Sequence, residues 1–316
     1  MRLRTLVIWH KFKKLWLALL GWAVLSVLML AFLAWSVNDY NGGLGRIQPA
    51  YQLALEGEDI QRLAIEASGV HLEIAGSVDN GKVRAYLYGA DYAGQSVRLY
   101  QQGDTVYVRL AENPPTAGNF GYAGSADLTL RIVVPKQNYA SIDLQTGRAD
   151  VRLTNLRSDL LCVRSESGSV QLDKLDLKQA KIESQNAQIV LDNSSIHDLT
   201  LVNETGETTL SRTQLRHWHY SGGSGDLFVL QKTIKGVWQL EAAAGNITVQ
   251  TSRTPYDLLC ELKSARGSVH IGYSKYDWDE LTAARLDQQA FQGCIGEGRH
   301  MLLIETDKGQ IEVGTR

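Results

Sequence analysis

A spacing of 19 residues governs the middle of this chain and restricts it to folds that repeat. Ala149, Gly168, Ala187, Gly206 and Gly225 follow one another at that interval, and Gly245 and Gly267 continue it at steps of 20 and 22. Apolar pairs stand seven and five positions before the anchors, from Ile142 and Leu144 through Trp218 and Tyr220 to Cys260 and Leu262. Others stand two and four positions after them, from Val151 and Leu153 through Thr208 and Leu210 to Val269 and Ile271. Each unit is two short period-2 strands about a turn. One unit cannot bury its apolar face alone, so the units must stack as a solenoid. Leu177, Ile196, Leu215 and Ile234 form a further register 19 apart, which calls for a second corner in each coil that sends a side chain inward.

The expected fold is all-β, a single-stranded β-helix with coils of about 19–22 residues. Its regular coils span 136–273. Residues 60–135 carry less regular strands with an early copy of the unit at Leu63, Ile65, Leu72 and Ile74, and are expected to cap the membrane-proximal end. Residues 274–299 interrupt the repeat. There Trp278, Leu281, Leu286 and Phe291 follow a roughly helical spacing, so a short helix or an extended loop leaves the solenoid. Residues 300–316 return as the closing coil through Leu302, Ile304, Gly309, Ile311 and Val313.

Ahead of the repeat, Leu15 to Trp35 is a run of 21 uncharged residues, long enough to cross a bilayer. Arg2, Arg4, Lys11, Lys13 and Lys14 precede it and Asp39 follows, so the positive-inside rule keeps residues 1–14 in the cytoplasm and sends the rest outside. The expected anchor is 15–36, with 37–59 as a juxtamembrane linker. A cleaved signal peptide is the rival, but its apolar run is shorter and it ends in a small-residue site that is not found here. The exported part holds 27 basic and 34 acidic residues, a balance that disfavours nucleic acid as a partner.

Three cysteines, Cys162, Cys260 and Cys294, are too few for a disulfide framework. Cys260 falls on an inward position, and a bridge to Cys294 remains open in an oxidising exterior.

The basic start, the apolar helix, units such as LLCVRSESGSVQLDKLDL and LTLVNETGETTLSRTQL, and the closing GRHMLLIETDKGQIEV resemble the bacterial "putative adhesin" domain-of-unknown-function family, which includes LiaG-like envelope proteins. The resemblance covers most of residues 60–316. It implies a right-handed β-helix on the outer face of the cytoplasmic membrane, with a role in surface attachment or envelope stress, and it brings no catalytic residues.

Chemistry-bearing motifs are sparse. His217 and His219 share one face of a strand, and the register turns both outward; without a third ligand at a defined spacing they do not make a zinc site. The glycines at 222, 223 and 225 lack the Lys and the helix of a phosphate loop and read as a turn. Asn193, Asn203 and Asn246 begin glycosylation-type triplets that read as turn residues in a bacterial chain. Outward acids at Asp143, Glu183, Asp192, Glu261 and Glu305, with Arg152, Arg164 and Lys181, are scattered over several coils as a solvated face would be.

No catalytic, cofactor-binding or metal residue is therefore assigned. The expected function is non-enzymatic binding to an envelope protein or glycan, with the bilayer held through 15–36. A carbohydrate-active β-helix enzyme acting on wall glycan and a regulatory partner of a membrane sensor are the alternatives.

Overall fold

In the computed structural model the described residues are 51–56, 59–78, 81–89, 95–112, 128–274, 278 and 289–316, all within one unit, Pro49–Arg316. The anchor expected at 15–36 lies outside them. Among the described residues no helix is long and apolar enough to cross a membrane.

The 19-residue period becomes a parallel ladder. Strand Arg157–Asp173 pairs in register with Asp176–Asp192, so that Leu161 meets Ala180, Val163 meets Ile182, Val170 meets Ile189 and Leu172 meets Leu191. The register continues from Ala180 to Leu199 and on to Trp218 and Trp238. Because strand side chains alternate, every second residue of these strands points into the stack. Ile142, Leu144, Val151 and Leu153 and their 19-residue successors are accordingly buried almost throughout.

The second corner is present too. Leu177, Ile196, Leu215 and Ile234 are all at most 5% exposed. Core volume is balanced along the columns: the small Ala180 sits between Leu161 and Leu199, while Trp218 and Trp238 meet edge-to-face with ring centroids 5.4 Å apart. Such aromatic pairs contribute roughly 0.5–1.5 kcal/mol beyond the area they bury.

The turns rest on a polar column that the hydrophobic pattern passes over. Thr146, Ser165, Ser184, Asn203, Ser264 and Thr306 each stand three residues before an anchor and are buried. Their parity turns them inward, and their side chains satisfy turn backbone. Ser184 Oγ accepts from Ala187 N at 2.9 Å, Ser264 Oγ from Gly267 N at 2.8 Å, and Thr306 Oγ1 from Gly309 N at 3.0 Å. Asn203 Nδ2 donates to Ala187 O and Gly206 O at 2.9 and 2.8 Å. Each such bond is worth about 1 kcal/mol net, and more when its loss would strand a buried group.

The coils do not stack in chain order at either end. On the C-terminal side, strand Met301–Thr306 lies between Val237–Ala242 and Leu258–Ser264, parallel to both. Ile311–Thr315 likewise lies between Ile247–Thr251 and Val269–Ile271. The closing coil is thus inserted, and the anchors Gly245 and Gly267, consecutive in the sequence, are separated by Gly309. At the other end Arg62–Ala67 lies between Thr105–Glu112 and Asn138–Arg148. His71–Ser77 lies between Thr129–Pro135 and Asp150–Thr154.

The outer edges are finished mainly by antiparallel strands. Tyr51–Glu56 pairs with Lys82–Tyr88, which pairs with Thr129–Pro135; Gln95–Gln102 pairs with Thr105–Glu112; Ala290–Ile295 pairs with Leu258–Ser264. The fourth edge, Val269–Ile271, is only three residues long. Reversed or short edges interrupt the parallel template that would otherwise invite another chain to add on.

The interruption differs from its expected form in one respect. Phe291 belongs to the strand Ala290–Ile295, and its ring meets buried Trp278 at 4.8 Å, so the end of the segment covers the solenoid edge. Leu281 and Leu286 lie outside the described residues.

Candidate functional site

The acids singled out in the sequence are mostly tied to cations on the next coil. Arg164 lies between Asp143 (3.7 Å) and Glu183 (3.5 Å), and Glu183 is also held by Lys181 at 2.6 Å. Asp192 is bound by Arg212 and accepts from Ser211 Oγ at 2.6 Å, while Glu305 accepts from Lys263 at 3.0 Å. The hydrogen bond from Lys181 lowers the Glu183 carboxyl below its usual range, and that from Arg212 does the same for Asp192.

Glu241, Glu261 and Glu305 line one depression of about 410 Å³. Each is engaged by its own neighbour, with Gln239 Nε2 on Glu241 at 2.7 Å, Gln292 Nε2 on Glu261 at 3.0 Å and Lys263 on Glu305. Arg152 stands beside Glu73 in the ladder.

The other motifs resolve into structure. Cys260 pairs with Gly293 and faces the core, whereas Cys294 stands opposite Leu259; the two cysteines are one residue out of register and no disulfide joins them. Burial raises the Cys260 thiol well above its ordinary range. Asn203 is fully buried and so cannot accept a glycan. Asn193 takes a left-handed turn conformation at φ 49°, and Asn246 accepts from Gln310 N at 2.9 Å. A Cβ on Gly222 would meet the Tyr220 hydroxyl at 2.5 Å, which explains glycine where most other coils carry a buried polar residue.

His217 and His219 do face outward, but His217 is not isolated. Asp198 is its partner one coil earlier, and His217 Nδ1 lies 2.7 Å from Asp198 Oδ1. His197 Nδ1 approaches the same oxygen at 3.0 Å. The corner makes this possible. Ile196 and Leu199 are both buried, so the two residues between them both turn outward, and the ladder passes from Ile196↔Leu215 to Asp198↔His217 without pairing His197. The hydrogen bonds from His217 and then His197 keep the Asp198 carboxyl below the usual range. His219 takes no part. The signal for this cluster was in the sequence, since subtracting one period from His217 gives Asp198.

Beside the cluster the corner opens into a groove of about 860 Å³. Earlier coils pair from the corner onward, as Ser195 does with Gln214, but the next ladder starts only at His217↔Val237. Residues 232–236 therefore leave the sheet. Gly236, at φ 82°, brings the chain back where a Cβ would strike Arg216 O at 1.9 Å.

Of the charged side chains lining the groove, Lys178 pairs with Asp159 and Asp176 with Arg157. Arg216, Lys232 and Lys235 have no ion-pair partner among the described residues. Gln231 Nε2 and Trp238 Nε1, both on lining residues, are buried donors without a hydrogen-bond partner.

An all-β stack of parallel coils with edges closed mainly by antiparallel strands defines a β-solenoid. The Toastrack DUF4097 family model matches residues 60–314, and the chain belongs to that family. Among solved structures it is similar to a "putative adhesin" from Parabacteroides distasonis at 12% identity and TM-score 0.45, over 84% of this chain and 96% of that one. It is also similar to a "putative cell adhesion protein" from Clostridium sporogenes at 10% identity and TM-score 0.24, over 85% of this chain and 100% of the other. None of the curated proteins compared with it matches in sequence.

Proposed function

We propose that this chain is a non-enzymatic binding protein of the bacterial envelope, held in the cytoplasmic membrane by residues 15–36 with its solenoid outside, and that its ligand is an acidic glycan lying in the corner groove. The observation that carries the reading is the surplus of positive charge at Arg216, Lys232 and Lys235, which line the groove and have no ion-pair partner among the described residues. A ligand rich in phosphate or carboxylate supplies acceptors and negative charge together.

The test is binding of the purified full-length chain in detergent to polygalacturonate, an acidic glycan, with a neutral glucan as control. The expected result is salt-sensitive retention on the acidic polymer alone, weakened by the K232E/K235E double substitution. Equal binding to the neutral glucan, or binding unchanged by the charge reversal, overturns the reading.

A further inference from the structure

We propose that His197, Asp198 and His217 form a binding site for a divalent transition-metal ion, zinc foremost. One ligand atom from each residue lies within 4.8 Å of the others, and among the described residues this is the one His, Cys, Asp and Glu group of three so placed. Both imidazoles direct Nδ1 at a single carboxylate oxygen, at 2.7 and 3.0 Å.

Those are the lengths of two hydrogen bonds to one acceptor. A zinc ion holds nitrogen and oxygen ligands at about 2.0–2.2 Å, which sets neighbouring ligands of a tetrahedron roughly 3.3 Å apart. Replacing the two hydrogen bonds by one metal ion, with each imidazole keeping its one proton on Nε2, requires the two Nδ1–Oδ1 separations to grow by roughly 0.3–0.6 Å. The side chains have room to do so, being 47%, 40% and 55% exposed for His197, Asp198 and His217.

Two imidazoles and a carboxylate suit zinc, copper or nickel, whereas calcium and magnesium favour oxygen ligands. Three protein ligands leave a position open for water or for a donor from a bound partner. The backbone restricts the geometry in advance, because the corner between Ile196 and Leu199 projects two of the ligands and the parallel register supplies the third. Such restriction lowers the entropic cost of binding.

Titrating the purified full-length chain, carrying no polyhistidine tag, with zinc alone in a calorimeter tests the site. One equivalent should bind with micromolar affinity, magnesium should give no heat, and cobalt(II) in place of zinc should give visible absorption bands. H217A and D198N should each weaken zinc binding about tenfold or more, while H219A leaves it unchanged. H217Q, which keeps a polar side chain of similar length, serves as a second variant, with the melting curve of each protein as a check of folding. Absence of zinc binding at micromolar concentrations, or equal affinity in wild type and in folded H217A or H217Q, overturns the proposal.

Discussion

Gly309 stands directly against the carbonyl of Gly245, so closely that a Cβ on Gly309 would come within 2.0 Å of Gly245 O. A Cβ on Gly267 would meet Gly309 O at the same distance. The three glycines form a ladder in which the last coil of the chain sits between two earlier ones. G309A should therefore destabilise the protein by about 1–3 kcal/mol, since backbone and not a flexible side chain must yield. Chemical denaturation of the two proteins measures the difference, and an unchanged midpoint would contradict the inserted coil.

Removal of residues 300–316 tests the same arrangement from another side. In a solenoid stacked in chain order, deleting the last coil exposes one new edge and leaves the rest folded. Here it takes away the strands that bridge Val237–Ala242 to Leu258–Ser264 and Ile247–Thr251 to Val269–Ile271. Hydrogen exchange should show loss of protection at 258–271 as a block. Retained protection there would argue for sequential stacking.

Lys174 adopts φ 55° in a column of left-handed turn residues that includes Asn155, Asn193 and Arg212. A long L side chain is strained in that region, whereas Asn tolerates it. Its ion pair with Asp173 is exposed and contributes little. K174N should raise stability by about 0.5 kcal/mol. A fall in melting temperature would count against the turn geometry.

Asp257 is almost wholly covered and accepts from Arg299 N and Arg299 Nε, both at 2.7 Å, at the crossing that leads into the inserted coil. The backbone hydrogen bond from Arg299, and then its guanidinium, lower the Asp257 carboxyl. A depressed carboxylate contributes stability that is present above its unfolded value, near 3.9, and is lost as pH falls through the folded value. D257N should therefore be less stable than wild type at neutral pH, and the gap should narrow below about pH 4. Melting curves across pH check this, and a gap of constant size would remove the carboxylate from the explanation.

The parity of Trp218, Tyr220 and Cys260 was legible because strand alternation is a local property: once the 19-residue register is set, the face of each residue follows. The polar column at Ser184 and Asn203 is less visible, since apolar periodicity does not mark residues that are inward but polar. His197 escaped for a related reason. Two successive outward residues violate alternation, and only the bend between Ile196 and Leu199 permits them. Cys260 and Cys294 illustrate the limit of proximity arguments, because strand neighbours one residue out of register face opposite sides.

By itself the sequence determined the period, the all-β class, the inward columns and the corner at Leu177, Ile196, Leu215 and Ile234, because each depends on side-chain alternation along one strand. Only the tertiary structure decided which coil lies beside which, and with it the place of Gly309 and of the early coil at Leu63–Ile74. Every coil offers the same apolar columns and the same hydrogen-bonding groups, so local pattern does not distinguish one neighbour from another. The gathering of His197, Asp198 and His217 is of the same kind, a contact made one full turn of the solenoid away in the chain.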